Sequence, residues 1–237
     1  LLSETPTHSD SLILNVHTAR RTYAMDRKYI SKHLGAGISV CGYDPRGIHE
    51  STGTASEGGH YLDAKTVVEA LHNKHGYPIH KIWATGSCGG GPMVAYLKKE
   101  YHDKGINIVL QNTFTSLAAT IRNQPFPASL IGRLGIDAVQ TQDPETCALV
   151  EQDNFNTLEK LESLQPYQGH QGGVSMILYA TRDTTLAPED GARLSAAAEK
   201  IGKTYTMIRD TDQGKDGHIN DPTEEPAIWK KYVEIIG

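Results

Sequence analysis

The sequence predicts an α/β protein with a mostly parallel central sheet flanked by helices, and three observations carry that prediction. Apolar runs of strand length recur along the 237 residues and alternate with segments of helical periodicity. The runs are apolar throughout, as in strands buried on both faces of a sheet. One of them, Ile82-Trp83-Ala84, drives into a glycine-rich turn, Gly86-Ser87-Cys88-Gly89-Gly90-Gly91. The chain then runs straight into a helix on which Val94, Leu97 and Tyr101 share a face. No internal repeat or low-complexity tract competes with this reading.

Taken in order, Leu1 to Asp10 is polar and expected to fray, and Ser11 to Val16 is the first strand, ending at His17-Thr18-Ala19-Arg20. Asp26 to Leu34 has helical spacing and is broken by Gly35 to Gly37; Ile38 to Tyr43 is the next strand, closed by the turn Asp44-Pro45-Arg46-Gly47. Ser51 to Gly59 reads as a Gly/Ser/Thr loop. Ala64, Val67, Val68 and Leu71 then lie on one helical face that Gly76 terminates. After the glycine turn, Pro92 belongs in a first helical turn, where its missing N–H is harmless. Ile106 to Leu110, Val174 to Ala180 and Thr204 to Ile208 are the remaining strands, and Ile228, Tyr232, Ile235 and Ile236 mark a closing amphipathic helix. The whole of 1–237 reads as one domain. The interval 118–173 is too long for a loop and holds helix-like pieces at Pro144 to Val150 and Asn156 to Leu164. It is expected to form a cap-like insertion over the sheet's carboxyl edge, with Gln124-Pro125-Phe126-Pro127 as its hinge or rim; surface helices without a role in binding are the alternative.

Composition narrows the function classes. A net charge of −5 with interspersed signs offers no basic face to nucleic acid, and no apolar run is long enough to span a membrane. The chain is therefore expected to be soluble. Cys41, Cys88 and Cys147 are odd in number and widely spaced, matching neither a disulfide framework nor a zinc site. Free thiols in the cytoplasm or another reducing compartment are the natural expectation. Leu1 opens the chain with neither an initiator Met nor a signal peptide, pointing to a trimmed or processed chain and leaving export without a visible signal open. His72, His75 and His80 have no cysteine or carboxylate spacing that would make them metal ligands, so no metal and no cofactor is expected.

The glycine turn carries the chemistry. Gly86-Ser87-Cys88-Gly89-Gly90 fits the nucleophile elbow G-x-S-x-G with cysteine in the serine place. Such an elbow needs glycine two residues before and two after the nucleophile, because the turn is strained and neighbouring chain packs against it. Ser87 fails that spacing, with Thr85 behind it. A P-loop would need a lysine and then Ser or Thr where Pro92 and Met93 stand, and G-x-G-x-x-G is not matched either. An inert core thiol is the plain alternative for Cys88.

A thiol becomes a useful nucleophile when an imidazole takes its proton and a carboxylate orients the imidazole. Asp183 follows the Val174 to Ala180 strand and His218 follows the Thr204 to Ile208 strand, both at carboxyl ends, where open α/β sheets place their sites. Asp183 is favoured over Asp190 and Asp212 because it lies within three residues of its strand. The order Cys88, Asp183, His218 is the nucleophile, acid, histidine order of the α/β-hydrolases.

Over nearly its whole length the sequence resembles the α/β-hydrolase superfamily. The residues that carry the resemblance are the elbow, Asp183, His218, and the Tyr43-Asp44-Pro45-Arg46-Gly47 turn with Ser51-Thr52-Gly53, which is similar to the D-x-R-G-x-G-x-S-x-G stretch of aminopeptidase-like and lipase-like members. His49 stands where that stretch usually has its second glycine, and His17-Thr18 replaces the usual His-Gly. The resemblance implies two further antiparallel strands at the start, for which Leu1 to Asp10 leaves no room, so they are expected to be absent or to have been removed with an N-terminal segment. It also implies an oxyanion hole made by the N–H of Gly89 with that of Thr18 or Ala19, and a mainly structural Arg46. Cysteine at the elbow is similar to dienelactone hydrolases and to the G-x-C-x-G-G box of polyhydroxyalkanoate synthases.

Three functions follow as expectations: a hydrolase of esters, thioesters or amides through a Cys-His-Asp triad and a covalent acyl-enzyme; an acyltransferase using the same triad; or a non-enzymatic binding protein retaining the fold. The substrate would be a small or acylated molecule, with a protein substrate also compatible because the interval 118–173 is short of apolar residues. Oligomeric state has no signature in the sequence.

Overall fold

The computed structural model describes residues 2–3, 10–16, 27–123, 155–183, 185–209 and 225–237. Its sheet contains β1 (Leu2–Ser3), β2 (Leu12–Val16), β3 (Ser39–Tyr43), β4 (Ile82–Ser87), β5 (Asn107–Gln111), β6 (Ser175–Ala180) and β7 (Thr204–Arg209), in the order β1-β3-β2-β4-β5-β6-β7. The six strands from β2 to β7 pair in parallel, and β1 runs antiparallel to β3. That edge strand corrects the expectation that both antiparallel strands are missing and that Leu1 to Asp10 merely frays. Two residues suffice because the pairing of Leu2 with Cys41 and of Ser3 with Val40 needs only backbone groups.

The helices are α1 (Arg27–Gly35), α2 (Glu57–Asn73), α3 (Gly91–Glu100), α4 (Leu117–Asn123), α5 (Thr157–Glu162), α6 (Pro188–Ile201) and α7 (Pro226–Ile236). Successive strand residues face opposite sides of the sheet, and both sides are packed. Leu12, Leu14, Ala84, Ile108, Leu110 and Ile177 join residues of α2, α3, α5 and α6 in one cluster. Ile13, Val40, Trp83, Val109, Met176 and Met207 join Tyr29 of α1 and Tyr232 and Ile236 of α7 in the other. Burial on two faces is why the strands read as unbroken apolar runs.

Two buried basic side chains stand in this frame. His33 links α1 to α7: Nδ1 lies 2.7 Å from the Tyr29 carbonyl oxygen and Nε2 3.4 Å from the Tyr232 hydroxyl. Burial pulls its pKa down to about 4, against the opposing pull of that carbonyl. Lys98, fully buried on α3, donates its amine to the carbonyls of Ile106 at 3.1 Å and Gly173 at 2.8 Å, and burial brings its pKa down to about 7.

Of the expected insertion 118–173, residues 124–154 lie outside the described residues. Its final part is in the helical layer of the domain body: α5 buries Thr157, Leu158 and Leu161 and its apolar residues belong to the same cluster as those of α3 and α6. The N–H groups of Thr157 and Leu158 donate to the Thr115 carbonyl at 2.8 and 3.0 Å, and the Phe155 N–H donates to the Glu57 carboxylate at 3.0 Å. The chain is thus fastened on both sides of the interval.

Candidate active site

Parallel register brings the carboxyl ends of the central strands level: Ser87 lies opposite Gln111, and Gln111 opposite Leu178. Cys88 is the first residue past β4. It starts a 3-10 turn, Cys88–Gly90, that leads directly into α3 with Pro92 in the first turn. Its φ is +50, the left-handed region, which costs a residue with a side chain about 1–2 kcal/mol. The flanking contacts hold it there. The Cys88 N–H donates to the Asn112 carbonyl at 3.1 Å, and the Cys88 carbonyl accepts the Thr113 hydroxyl at 2.6 Å and the Gly91 N–H.

Two glycines of the turn, Gly86 and Gly91, are steric requirements. A Cβ on Gly86 would lie 2.5 Å from the Gly90 carbonyl oxygen and 2.8 Å from Val94, and one on Gly91 would lie 2.0 Å from the Thr113 hydroxyl oxygen. The thiol of Cys88 is unpaired with any other cysteine, and the residue is 5% exposed.

Asp183 lies three residues past β6, on the same edge. Its Oδ1 accepts the N–H groups of Thr185 at 2.7 Å and Leu186 at 2.9 Å, so the carboxylate is anchored by the turn that leads into α6. Asp190, the rival acid, is buried in the first turn of α6, where it accepts the Thr115 hydroxyl at 2.8 Å. Burial pushes the Asp190 carboxyl above its ordinary range, against hydrogen bonds from Thr115. The structure therefore brings Cys88, Gly89 and Asp183 to one sheet edge. His218, Thr18, Ala19 and the third candidate acid, Asp212, lie outside the described residues. The last described residue before His218 is Arg209, which closes β7 opposite Ala180 on that edge.

Arg46 is engaged elsewhere. Its guanidinium donates to both Asp63 carboxylate oxygens, at 2.7 to 3.1 Å, and its backbone N–H adds a bond of 2.9 Å. Gly59 is the glycine that leaves room for it, since a Cβ there would fall 2.6 Å from the Arg46 Cδ. His49, in the place of a glycine, has φ +52.

Two residues at this edge escaped the sequence reading. Asn112, itself left-handed at φ +38, spans three strand ends: its N–H donates to Leu178, its carbonyl accepts from Cys88 and its Oδ1 accepts from Ala180. Thr113 holds the Cys88 carbonyl. The one available signal was position, an Asn and a Thr directly after an apolar strand. Among the described residues, no cluster of His, Cys, Asp or Glu could hold a metal, and no helix is long and apolar enough to cross a membrane.

No protein-family model matches the chain. Among solved structures, an esterase of Pyrococcus furiosus superposes with a TM-score of 0.65 at 17% identity, covering 96% of this chain and 80% of that one. The enol-lactonase of Burkholderia xenovorans LB400 gives 0.65 at 15% identity, covering 100% and 95%. The fold is that of the α/β-hydrolases. In sequence, protein bem46 of Schizosaccharomyces pombe is 32% identical over 111 residues, 46% of this chain. The chain spans about a third, 36%, of that relative's length.

Proposed function

We propose that this protein is a hydrolase that forms a covalent acyl-enzyme on Cys88, with His218 as the base and Asp183 as the carboxylate that orients it. The observation that carries the proposal is the left-handed Cys88 at the tip of a strand-to-helix turn, flanked by glycines at which a Cβ would clash. A strained non-glycine residue persists only where its surroundings enforce it, and such strain clusters at functional sites. The fold neighbours named esterase and enol-lactonase put an ester carbonyl first among ester, thioester and amide.

The chemistry then runs in two halves. His218 takes the Cys88 proton, and the sulfur attacks the carbonyl carbon while the developing oxyanion is met by the N–H of Gly89 and of Thr18 or Ala19. The tetrahedral species collapses to a thioester as the leaving alcohol or thiol takes the proton from His218. In the second half His218 deprotonates water, hydroxide adds to the thioester, and the acid leaves as the sulfur departs and is reprotonated. An amine or alcohol in place of water would make the same intermediate an acyl donor.

Intact-mass spectrometry after incubation with p-nitrophenyl esters and acyl thioesters tests this. One acyl group should appear on Cys88 and be absent from Cys88→Ala, and adding an amine or alcohol acceptor separates transfer from hydrolysis by product. Ester turnover in Cys88→Ala equal to wild type would overturn the proposal.

A further inference from the structure

The geometry points to Thr113 as a positioning residue for the oxyanion donor at Gly89, an inference that rests on the acyl-enzyme reading above. The Cys88 carbonyl and the Gly89 N–H belong to one peptide unit, which is planar and trans, so the two groups point in opposite directions. Whatever fixes the carbonyl aims the N–H. Here both acceptor directions of the Cys88 oxygen are filled: the Gly91 N–H bonds to it across the 3-10 turn, and the Thr113 hydroxyl bonds to it at 2.6 Å. The latter is at the short end of the range for O–H···O bonds.

Thr113 has little freedom to do anything else. It is 4% exposed and so tight on Gly91 that a Cβ there would meet three of its side-chain atoms within 2.7 Å. It also follows Asn112, whose carbonyl receives the Cys88 N–H at 3.1 Å. The two peptide units on either side of the Cys88 Cα are therefore both gripped by consecutive residues of the chain leaving β5. A donor on the carbonyl also polarises the peptide unit, which strengthens its N–H as a donor toward developing negative charge.

A packing role and an oxyanion role for Thr113 differ in what they do to two reactions of the same sulfur. Alkylation by iodoacetamide at Cys88 develops no oxyanion, whereas acylation by p-nitrophenyl acetate does. Thr113→Val keeps the shape and removes the hydroxyl, Thr113→Ala removes it with less bulk and serves if the valine variant does not fold, and Thr113→Ser keeps it. Loss of an oxyanion donor lowers rates by roughly 10²–10³-fold; misaiming one should slow acylation by about 10–100-fold, leave alkylation within about 2-fold, and raise KM little relative to the fall in kcat. Thr113→Ser should restore the acylation rate. Acylation of Thr113→Val within about 2-fold of wild type overturns the inference, as does a parallel fall in both reactions, which would make Thr113 a support for the sulfur itself. A wild-type Cys88 that alkylates but is never acylated would remove the acyl-enzyme reading and this inference together, a result distinct from either.

Discussion

Replacing Gly91 by alanine should destabilise the protein by about 1–3 kcal/mol, and a single contact is responsible. The added Cβ would lie 2.0 Å from the Thr113 Oγ1, 2.5 Å from its Cβ and 2.7 Å from its Cγ2. Backbone strain contributes nothing, because Gly91 has φ −59 and ψ −46, ordinary helical values. Alanine is even the better helix former, by about 0.5–1 kcal/mol. Overpacking a filled site costs about 1–3 kcal/mol and sometimes more, and Thr113 can yield only by giving up its hydrogen bond to Cys88, worth about 1 kcal/mol. The steric and hydrogen-bond losses together outweigh the helix gain. In a domain of this size each kcal/mol moves Tm by ~2–4 °C, so melting followed by circular dichroism should fall by about 2–12 °C. Adding Thr113→Ala should recover part of the loss, since two of the three contacts vanish. Gly91→Ala melting at or above wild type would show that Thr113 is not packed on this turn, and the argument for its hold on the Cys88 peptide would fail with it.

His33 should make the fold acid-sensitive. Its folded pKa is lowered from 6.5 to about 4, so between those values the unfolded chain binds a proton that the folded one does not. Stability therefore falls as pH drops through that window, by about 3 kcal/mol at 1.36 kcal/mol per unit. Urea melts at pH 6.5 and pH 4 should show this loss in wild type and a loss smaller by that amount in His33→Gln; equal pH dependence in the two would refute it. Asp183→Asn should leave the melting temperature nearly unchanged, because the retained oxygen can still accept from Thr185 and Leu186. Ester turnover should nonetheless drop by up to ~10⁴-fold, the effect of removing the orienting carboxylate in a serine triad. Turnover within a few-fold of wild type would exclude Asp183 as that carboxylate and return attention to Asp212.

The strands were readable because burial on both faces leaves an unbroken apolar signature, and the turn at Cys88 because sterics demand glycine at fixed offsets. What escaped the sequence has a common cause: interactions made through backbone groups leave no residue pattern. The pairing of Leu2–Ser3 is one case, and the grip of Asn112 and Thr113 on the peptide units around Cys88 is another. Long-range pairing misled in a different way. Gly58 and Gly59 read as loop, yet α2 already starts at Glu57 behind a Ser56 cap, and Gly59 is glycine to admit the Arg46 stem from 13 residues earlier. Nothing local in the sequence announced that Lys98 would end beneath the carbonyls of Ile106 and Gly173. For the candidate site, Cys88 and Asp183 were legible as residues at strand ends, while the hydrogen bonds that fix them were not.

The fastening of Thr157 and Leu158 to the Thr115 carbonyl, with Phe155 held by Glu57, has a consequence for how such a protein can diversify. These bonds hold the two ends of the interval together, so a flexible insertion placed between them costs mainly closure entropy, about 0.6 kcal/mol for each doubling of its length. The strands that hold Cys88 and Asp183 lie outside the clasp. Segments of different length or chemistry can therefore be exchanged between these ends while the strands that carry Cys88 and Asp183 keep their register.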